Sequence, residues 1–162
     1  MLKELFTEAI QPHEKIIFRV CRIYCRTDED RQDLFQDIML QLWKAYPQFR
    51  NESKISTWMY RIAINTAVTK RKKDDRKPAI DPVAAELPEV APAPEEDLQY
   101  ERMMNAVEKL SQVEKAIVML YLDDHSYREM SEVLGISESN IGFKLNQIKN
   151  KLRKVTENDH GA

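Results

Sequence analysis

The sequence predicts an all-α protein: two small helical domains joined by a flexible acidic, proline-rich linker, the second containing a helix-turn-helix. Three observations carry this expectation. Two Ser-x-x-Glu pairs, Ser111 with Glu114 and Ser126 with Glu129, have the capping-box spacing that opens a helix. Apolar residues recur at three- and four-residue intervals on both sides of the chain's middle. Of seven prolines in 162 residues, five lie between Lys77 and Asp97, and there are only three glycines, which argues against an extensive β-fold or a glycine-rich phosphate loop.

In the first half, Leu34, Phe35, Ile38, Met39, Leu42, Trp43 and Tyr46 mark a well-buried helix from Asp33 to Tyr46. Its opposite face groups Asp33, Gln36, Asp37, Leu40, Gln41 and Lys44. One leucine among acids and amides suits a polar docking surface with an apolar anchor, although an exposed leucine alone needs no explanation. Pro47 breaks the helix. The loop that follows holds Phe49, Arg50, Asn51, Ser53, Lys54 and Ser56, before a helix from Thr57 to Lys73. An aromatic ring, cations, amides and hydroxyls together suit a single nucleic-acid strand: planes stack on bases, short polar groups read their edges, and cations track phosphate. In the following helix, Arg61 and Asn65 are the candidate contacts, whereas Trp58, Met59, Tyr60 and Ile62 lie at helical spacing and read as core.

The formal net charge of −2 hides a strong segregation. Residues 53–77 carry 8 Lys and Arg against 2 Asp and Glu; residues 78–101 carry none against 7; residues 140–162 carry 5 against 2. Attraction of phosphate depends on such local fields, not on the total, so the two basic segments are candidate nucleic-acid contacts. A basic run is equally an ordinary solvated helix end. The proline-rich segment between them, with its self-repelling carboxylates, reads as a semi-extended tether. It serves solubility, or it occupies a basic channel of a larger partner. The domains are accordingly set at residues 1–77 and 97–157, with a linker over 78–96.

In the second half, Ser111 and Ser126 open helices, Gly135 closes the second, and Ser137 caps a third. That is a helix-turn-helix. The last helix puts Ile141, Leu145, Ile148 and Leu152 on one face, leaving Ser139, Asn140, Phe143, Lys144, Asn146, Gln147 and Lys151 to meet duplex DNA in the major groove. A plain amphipathic hairpin with a solvated charged face is the alternative.

Other chemistry finds little support. No apolar run approaches the roughly 20 residues of a membrane span, and the charged start of the chain lacks a secretory leader's pattern, so a cytoplasmic location without membrane insertion is expected. Cys21 and Cys25 lie one helical turn apart with His13 nearby, but a fourth ligand is missing, so no metal is expected. His125 beside Asp123 and Asp124 has no nucleophile or phosphate loop with it. Neither a catalytic residue nor a cofactor is expected.

Three segments in order, Asp33 to Trp43, Phe49-Arg50 with Ser56 to Asn65, and Ser126 to Leu152, resemble the bacterial RNA polymerase sigma factors of the extracytoplasmic-function (ECF) group. The resemblance covers nearly the whole chain outside the linker. It implies a promoter-specific transcription initiation factor, not an enzyme, whose partners are core RNA polymerase, promoter DNA and an anti-sigma factor. By the same resemblance, the helix of Asp33–Trp43 docks on the clamp coiled coil of the largest polymerase subunit. The loop around Phe49–Ser56 holds a base flipped from the non-template strand at the minus-ten element, with Asn65 helping to read it. The last helix reads the minus-thirty-five element. The chain departs from the family in that helix, with Gly142 where a basic residue is frequent and Phe143 where a small one follows. A lost guanidinium removes a guanine contact worth about 1–3 kcal/mol, while an aromatic ring suits a thymine methyl. Two readings stand beside this one: a helix-turn-helix regulator that binds DNA without polymerase, and a protein-interaction module.

Overall fold

The computed structural model describes residues 1–76 and 95–160, with side chains described over 1–70 and 98–154. All regular structure among them is helical. The first unit comprises α1 (Leu2–Ile10), α2 (Glu14–Tyr24), α3 (Asp28–Ala45) and α4 (Ile55–Arg76), with single 3₁₀ turns at Gln11–His13 and Tyr46–Gln48. The second comprises α5 (Glu95–Glu108), α6 (Gln112–Leu122), α7 (Tyr127–Leu134) and α8 (Glu138–His160). The expected tether lies largely outside the described residues, and α5 opens two positions before the expected boundary at residue 97.

The helix boundaries follow local chemistry. Both capping boxes close as expected: Glu114 N donates to Ser111 Oγ at 3.1 Å while Ser111 N donates to Glu114 Oε1 at 3.0 Å, and Ser126 and Glu129 repeat the exchange. Gly135 ends α7 at φ 72°, the left-handed region where a side chain is strained, and Ser137 Oγ accepts from Asn140 N at 3.1 Å to start α8. The helix expected from Asp33 begins earlier, at Asp28, because Thr27 caps it through Asp30 N and Asp28, Glu29 and Asp30 complement its positive end.

In the first unit α2, α3 and α4 bury Ile17, Val20, Leu34, Ile38, Leu42, Met59, Tyr60 and Ala63. Met59 and Tyr60 are core, as their spacing predicts, and Trp58 and Ile62 pack half-buried on its edge. Ile117, Leu120, Met130, Ile141 and Ile148 form the centre of the second unit. Full burial of one such aliphatic side chain is worth roughly 1.5–3 kcal/mol, so a few of them outweigh every surface contact described below. Cys21 and Cys25 are free thiols; Cys21 is buried, and burial pushes its pKa up to about 12. No helix among the described residues is long and apolar enough to cross a membrane.

The two units are not held apart. α6 lies on α2, α7 lies on α4, and the buried cluster runs continuously through both. Polar contacts stud this seam. Tyr24 Oη donates to the Gln112 carbonyl at 2.7 Å, and Lys115, itself buried, sits with Nζ 5.9 Å from the Tyr24 ring centroid. Asp123 receives both the Tyr60 hydroxyl and Arg19 Nη1, the latter at 2.7 Å. Arg26 reaches Glu108 at 2.8 Å and Asn105 at 3.0 Å. Each half is short for a core of its own, and shared burial compensates.

Gly142 falls in the middle of α8, where glycine costs roughly 1 kcal/mol relative to alanine. A Cβ built there would meet only the Tyr127 ring, at 3.4 Å, an ordinary contact. Gly142→Ala should therefore stabilise the chain by about 0.5–1 kcal/mol, read as a higher midpoint in thermal melts. A fall in the midpoint would mean that α7 and α8 approach more closely than this contact allows.

Candidate nucleic-acid interface

Three surfaces carry the residues expected to function. The first is the outer face of α3. Asp33, Gln36, Gln41 and Lys44 are exposed and Leu40 is 48% exposed, so the mixed stripe stands in solvent as its spacing requires. Asp37 differs. It is half-buried and accepts from Lys70 Nζ at 2.8 Å, which ties α3 to the basic end of α4. Its carboxylate is engaged in this internal pair while about half of the side chain remains in solvent.

The second surface is the loop between the 3₁₀ turn at Tyr46–Gln48 and α4. Asn51 takes φ 59°, a left-handed conformation that asparagine adopts more readily than other side chains, and the loop doubles back there. Phe49 rests on Trp58 with ring centroids 4.8 Å apart, which fixes the aromatic base of a cleft of about 670 Å³. Gln48, Arg50, Glu52, Ser53, Arg61 and, from α7, Glu132 complete its lining. Asn51, Lys54 and Ser56 are not on that lining: Asn51 makes the bend, Lys54 supplies the carbonyl that accepts from Trp58 N at 3.1 Å to start α4, and Ser56 lies half-buried in the first turn. Asn65 stands one turn beyond Arg61 and lines a separate cleft of about 470 Å³ with Asp37, Gln41, Ile62, Thr66, Thr69 and Lys70. Of the expected minus-ten set, Phe49, Arg50, Ser53 and Arg61 therefore line one cleft, Asn65 lines its neighbour, and Asn51, Lys54 and Ser56 line neither. Lys70 belongs to the basic segment 53–77 that the charge pattern marks, whereas nothing in that pattern marks Thr69, although it continues the one-turn spacing Arg61, Asn65, Thr69 that places all three along one side of α4.

The third surface is α8. Ile141, Leu145 and Ile148 face inward, and Ser139, Asn140, Phe143, Asn146 and Gln147 are exposed, with Phe143 at 63%. A large aromatic ring presented to water on a helix whose other side is packed is the pattern of a contact surface. Lys144 is half-buried at the edge of this face. Lys151 is exposed and also paired within the fold. Its Nζ lies 3.0 and 2.8 Å from the two oxygens of Glu114, whose carboxyl is 6% exposed at the start of α6. A buried carboxylate draws the nearest cation, and Lys151 meets that demand from the surface, with its side chain still 57% exposed. Burial acts to raise the Glu114 pKa, but hydrogen bonds from Lys151 and Ser111 outweigh it and hold the carboxyl below its usual range.

Comparison with known proteins agrees with this division of the chain. Residues 9–77 match the family model for sigma-70 region 2, and residues 100–152 match that for sigma-70 region 4. The ECF RNA polymerase sigma factor SigM of Mycobacterium tuberculosis is 23% identical over 154 residues, covering 93% of this chain and 76% of that protein. The ECF RNA polymerase sigma-E factor of Escherichia coli is 29% identical over 144 residues, covering 78% and 75%. Among solved structures, the sigma factor RpoE of Bartonella quintana, crystallised with the anti-sigma factor NepR, superposes with a TM-score of 0.70 at 18% identity, over 93% of this chain and 98% of that one. At that identity the likeness concerns the fold.

Proposed function

The chain belongs to the sigma-70 family, in its extracytoplasmic-function group, and from that premise we propose that it binds core RNA polymerase and directs promoter-specific transcription initiation. The observation that carries this reading is the order and spacing of two family regions, 9–77 and 100–152, each with its contact surface in solvent. In this role the α3 stripe docks on polymerase and the clefts beside α4 take the opened minus-ten strand. The exposed side of α8 enters the major groove of the minus-thirty-five element. The protein acts in the cytoplasm, without catalysis of its own, since the polymerase performs the chemistry. A relative crystallised with an anti-sigma factor supports an inhibitory partner of that class here as well.

The decisive experiment adds the purified chain to core polymerase and a duplex promoter. Specific transcripts are expected only when all three are present; sequence-specific duplex binding by the chain alone, with no stimulation of polymerase, would overturn the proposal. Within it, Leu40→Glu puts a charge at the apolar centre of the docking stripe and should weaken polymerase binding roughly tenfold or more, a cost of about 1.4 kcal/mol, with an unchanged melt. Titration against labelled core polymerase checks this, and equal affinity would move the docking surface elsewhere. For α8, Gln147→Ala and Lys144→Ala should alter preference at individual positions of a randomised minus-thirty-five element, by about 1–3 kcal/mol per affected base pair. Selection with holoenzyme should separate them from wild type; identical base preferences would remove this face as the reader.

A further inference from the structure

A helix in the major groove meets base edges through its N-terminal part, so the side chains exposed along the first three turns of α8 set what it reads. Phe143 stands at the centre of that face, with Asn140 one turn before it and Asn146 and Gln147 one turn after, all four in solvent. Gly142 beside it carries no side chain, and the exposed Tyr127 ring of α7 lies against that position, so the start of α8 presents an apolar patch. The cations stand aside. Lys144 is half-buried at the edge of the face, Lys149 Nζ lies 5.0 Å from the Tyr121 ring centroid, and Lys151 is paired with Glu114. The first arginine of α8 is Arg153, ten residues past Phe143 and about 15 Å further along the axis. Guanine is recognised by a cation on O6 and N7, adenine by a side-chain amide on N6 and N7, and thymine by apolar contact with its 5-methyl group. The exposed face of α8 holds the second and third of these and lacks an arginine fork for the first.

We propose that this face selects A·T pairs: the Phe143 ring packs on the 5-methyl group of one thymine of the minus-thirty-five element, and the amides of Asn140, Asn146 and Gln147 take the major-groove edge of adenines beside it. The inference rests on the reading of α8 as the duplex-binding helix and names the base class that this reading leaves open. In the free chain the ring stays in water, and contact with a methyl group removes apolar surface from both partners, which is where the preference arises.

In the test, holoenzyme made from the full chain and core polymerase selects among promoter duplexes randomised over the minus-thirty-five element. The wild-type selection should be rich in A·T pairs, with one thymine position that Phe143→Ala no longer requires. At that position uracil replaces thymine, which deletes the methyl group and leaves base pairing and the O4 acceptor intact. Affinity of the wild-type holoenzyme for the duplex should fall about fourfold, the effect of one methyl group leaving an apolar contact. Phe143→Ala should bind the thymine and uracil duplexes equally, while Phe143→Leu, which keeps apolar surface there, should retain part of the difference. Since the ring is exposed, neither substitution should move the thermal midpoint, so a lost response reports recognition and not folding. A selection dominated by G·C pairs, or a uracil scan in which wild type and Phe143→Ala respond alike at every thymine, overturns the proposal. Failure of the wild-type chain to form any sequence-specific complex with core polymerase defeats the functional reading itself, whereas a specific complex indifferent to uracil defeats the thymine reading alone.

Discussion

Replacing Arg50 and Asn65 together by alanine should slow open-complex formation on a duplex promoter by roughly 10²- to 10⁴-fold, because hydrogen bonds to charged groups are each worth about 1.5–3 kcal/mol and every 1.36 kcal/mol of barrier is tenfold in rate. Both side chains are exposed, one in the loop cleft and the other in its neighbour, so the fold should be untouched. On a template already melted across the minus-ten element the loss should be much smaller, since part of what these residues supply is the capture of strands that the duplex withholds. Single substitutions then apportion the effect between the two clefts. Equal defects on duplex and melted templates would assign both residues a general phosphate role. Potassium permanganate footprinting of opened thymines, alongside transcript yield, measures the two steps separately.

The second large effect concerns Glu114. Glu114→Ala removes the reciprocal half of the capping box, worth about 0.5–2 kcal/mol, and the partner of Lys151. Lys151 keeps much of its contact with water, so the ion pair itself adds little, and a total near 2 kcal/mol follows, or about 4–8 °C in midpoint for a chain of this size. The pH dependence has a definite sign. The folded carboxyl titrates below its usual range, so its contribution is complete above the ordinary carboxylate pKa and disappears as pH falls through the lower, folded value. Glu114→Gln keeps a capping-box side chain and loses only the charge, so melts at pH 7 should show a gap well below that of Glu114→Ala, and melts at progressively more acid pH should close it. A gap that persists undiminished in acid would show that packing, not ionisation, carries the effect.

Much of this architecture was legible in the sequence because it depends on local rules. Ser111, Ser126, Gly135 and Ser137 fix helix ends through neighbours no more than five residues away, and the structure places all four ends where that chemistry puts them. The exposure of Leu40 and Phe143 followed in the same way from helical spacing. What escaped depends on partners distant in the chain. Lys151 is paired because Glu114, 37 residues away, lies buried beside it. Asp37 is engaged by Lys70, and the loop cleft gains a wall from Glu132, which no spacing within residues 48–65 announces. The packing of the two units on each other is likewise set by residues far apart in the chain, such as Tyr24 with Gln112 and Arg19 with Asp123.

α7 packs on two helices at once, α8 and α4. It is anchored to α8 by the Gly135 turn, by Ser131 Oγ donating to the Ile136 carbonyl at 2.7 Å, and by Tyr127 lying against Gly142; to α4 it is anchored by Glu132. A change that tilts α8 to suit a new minus-thirty-five sequence must carry α7 along and so disturb its hold on Arg61. Duplex reading and the packing of the first unit are consequently linked traits: substitutions in α8 that shift α7 should also shift the stability of the contact with α4, and changes at Asp123, Tyr60 or Arg19 are where such shifts would be compensated.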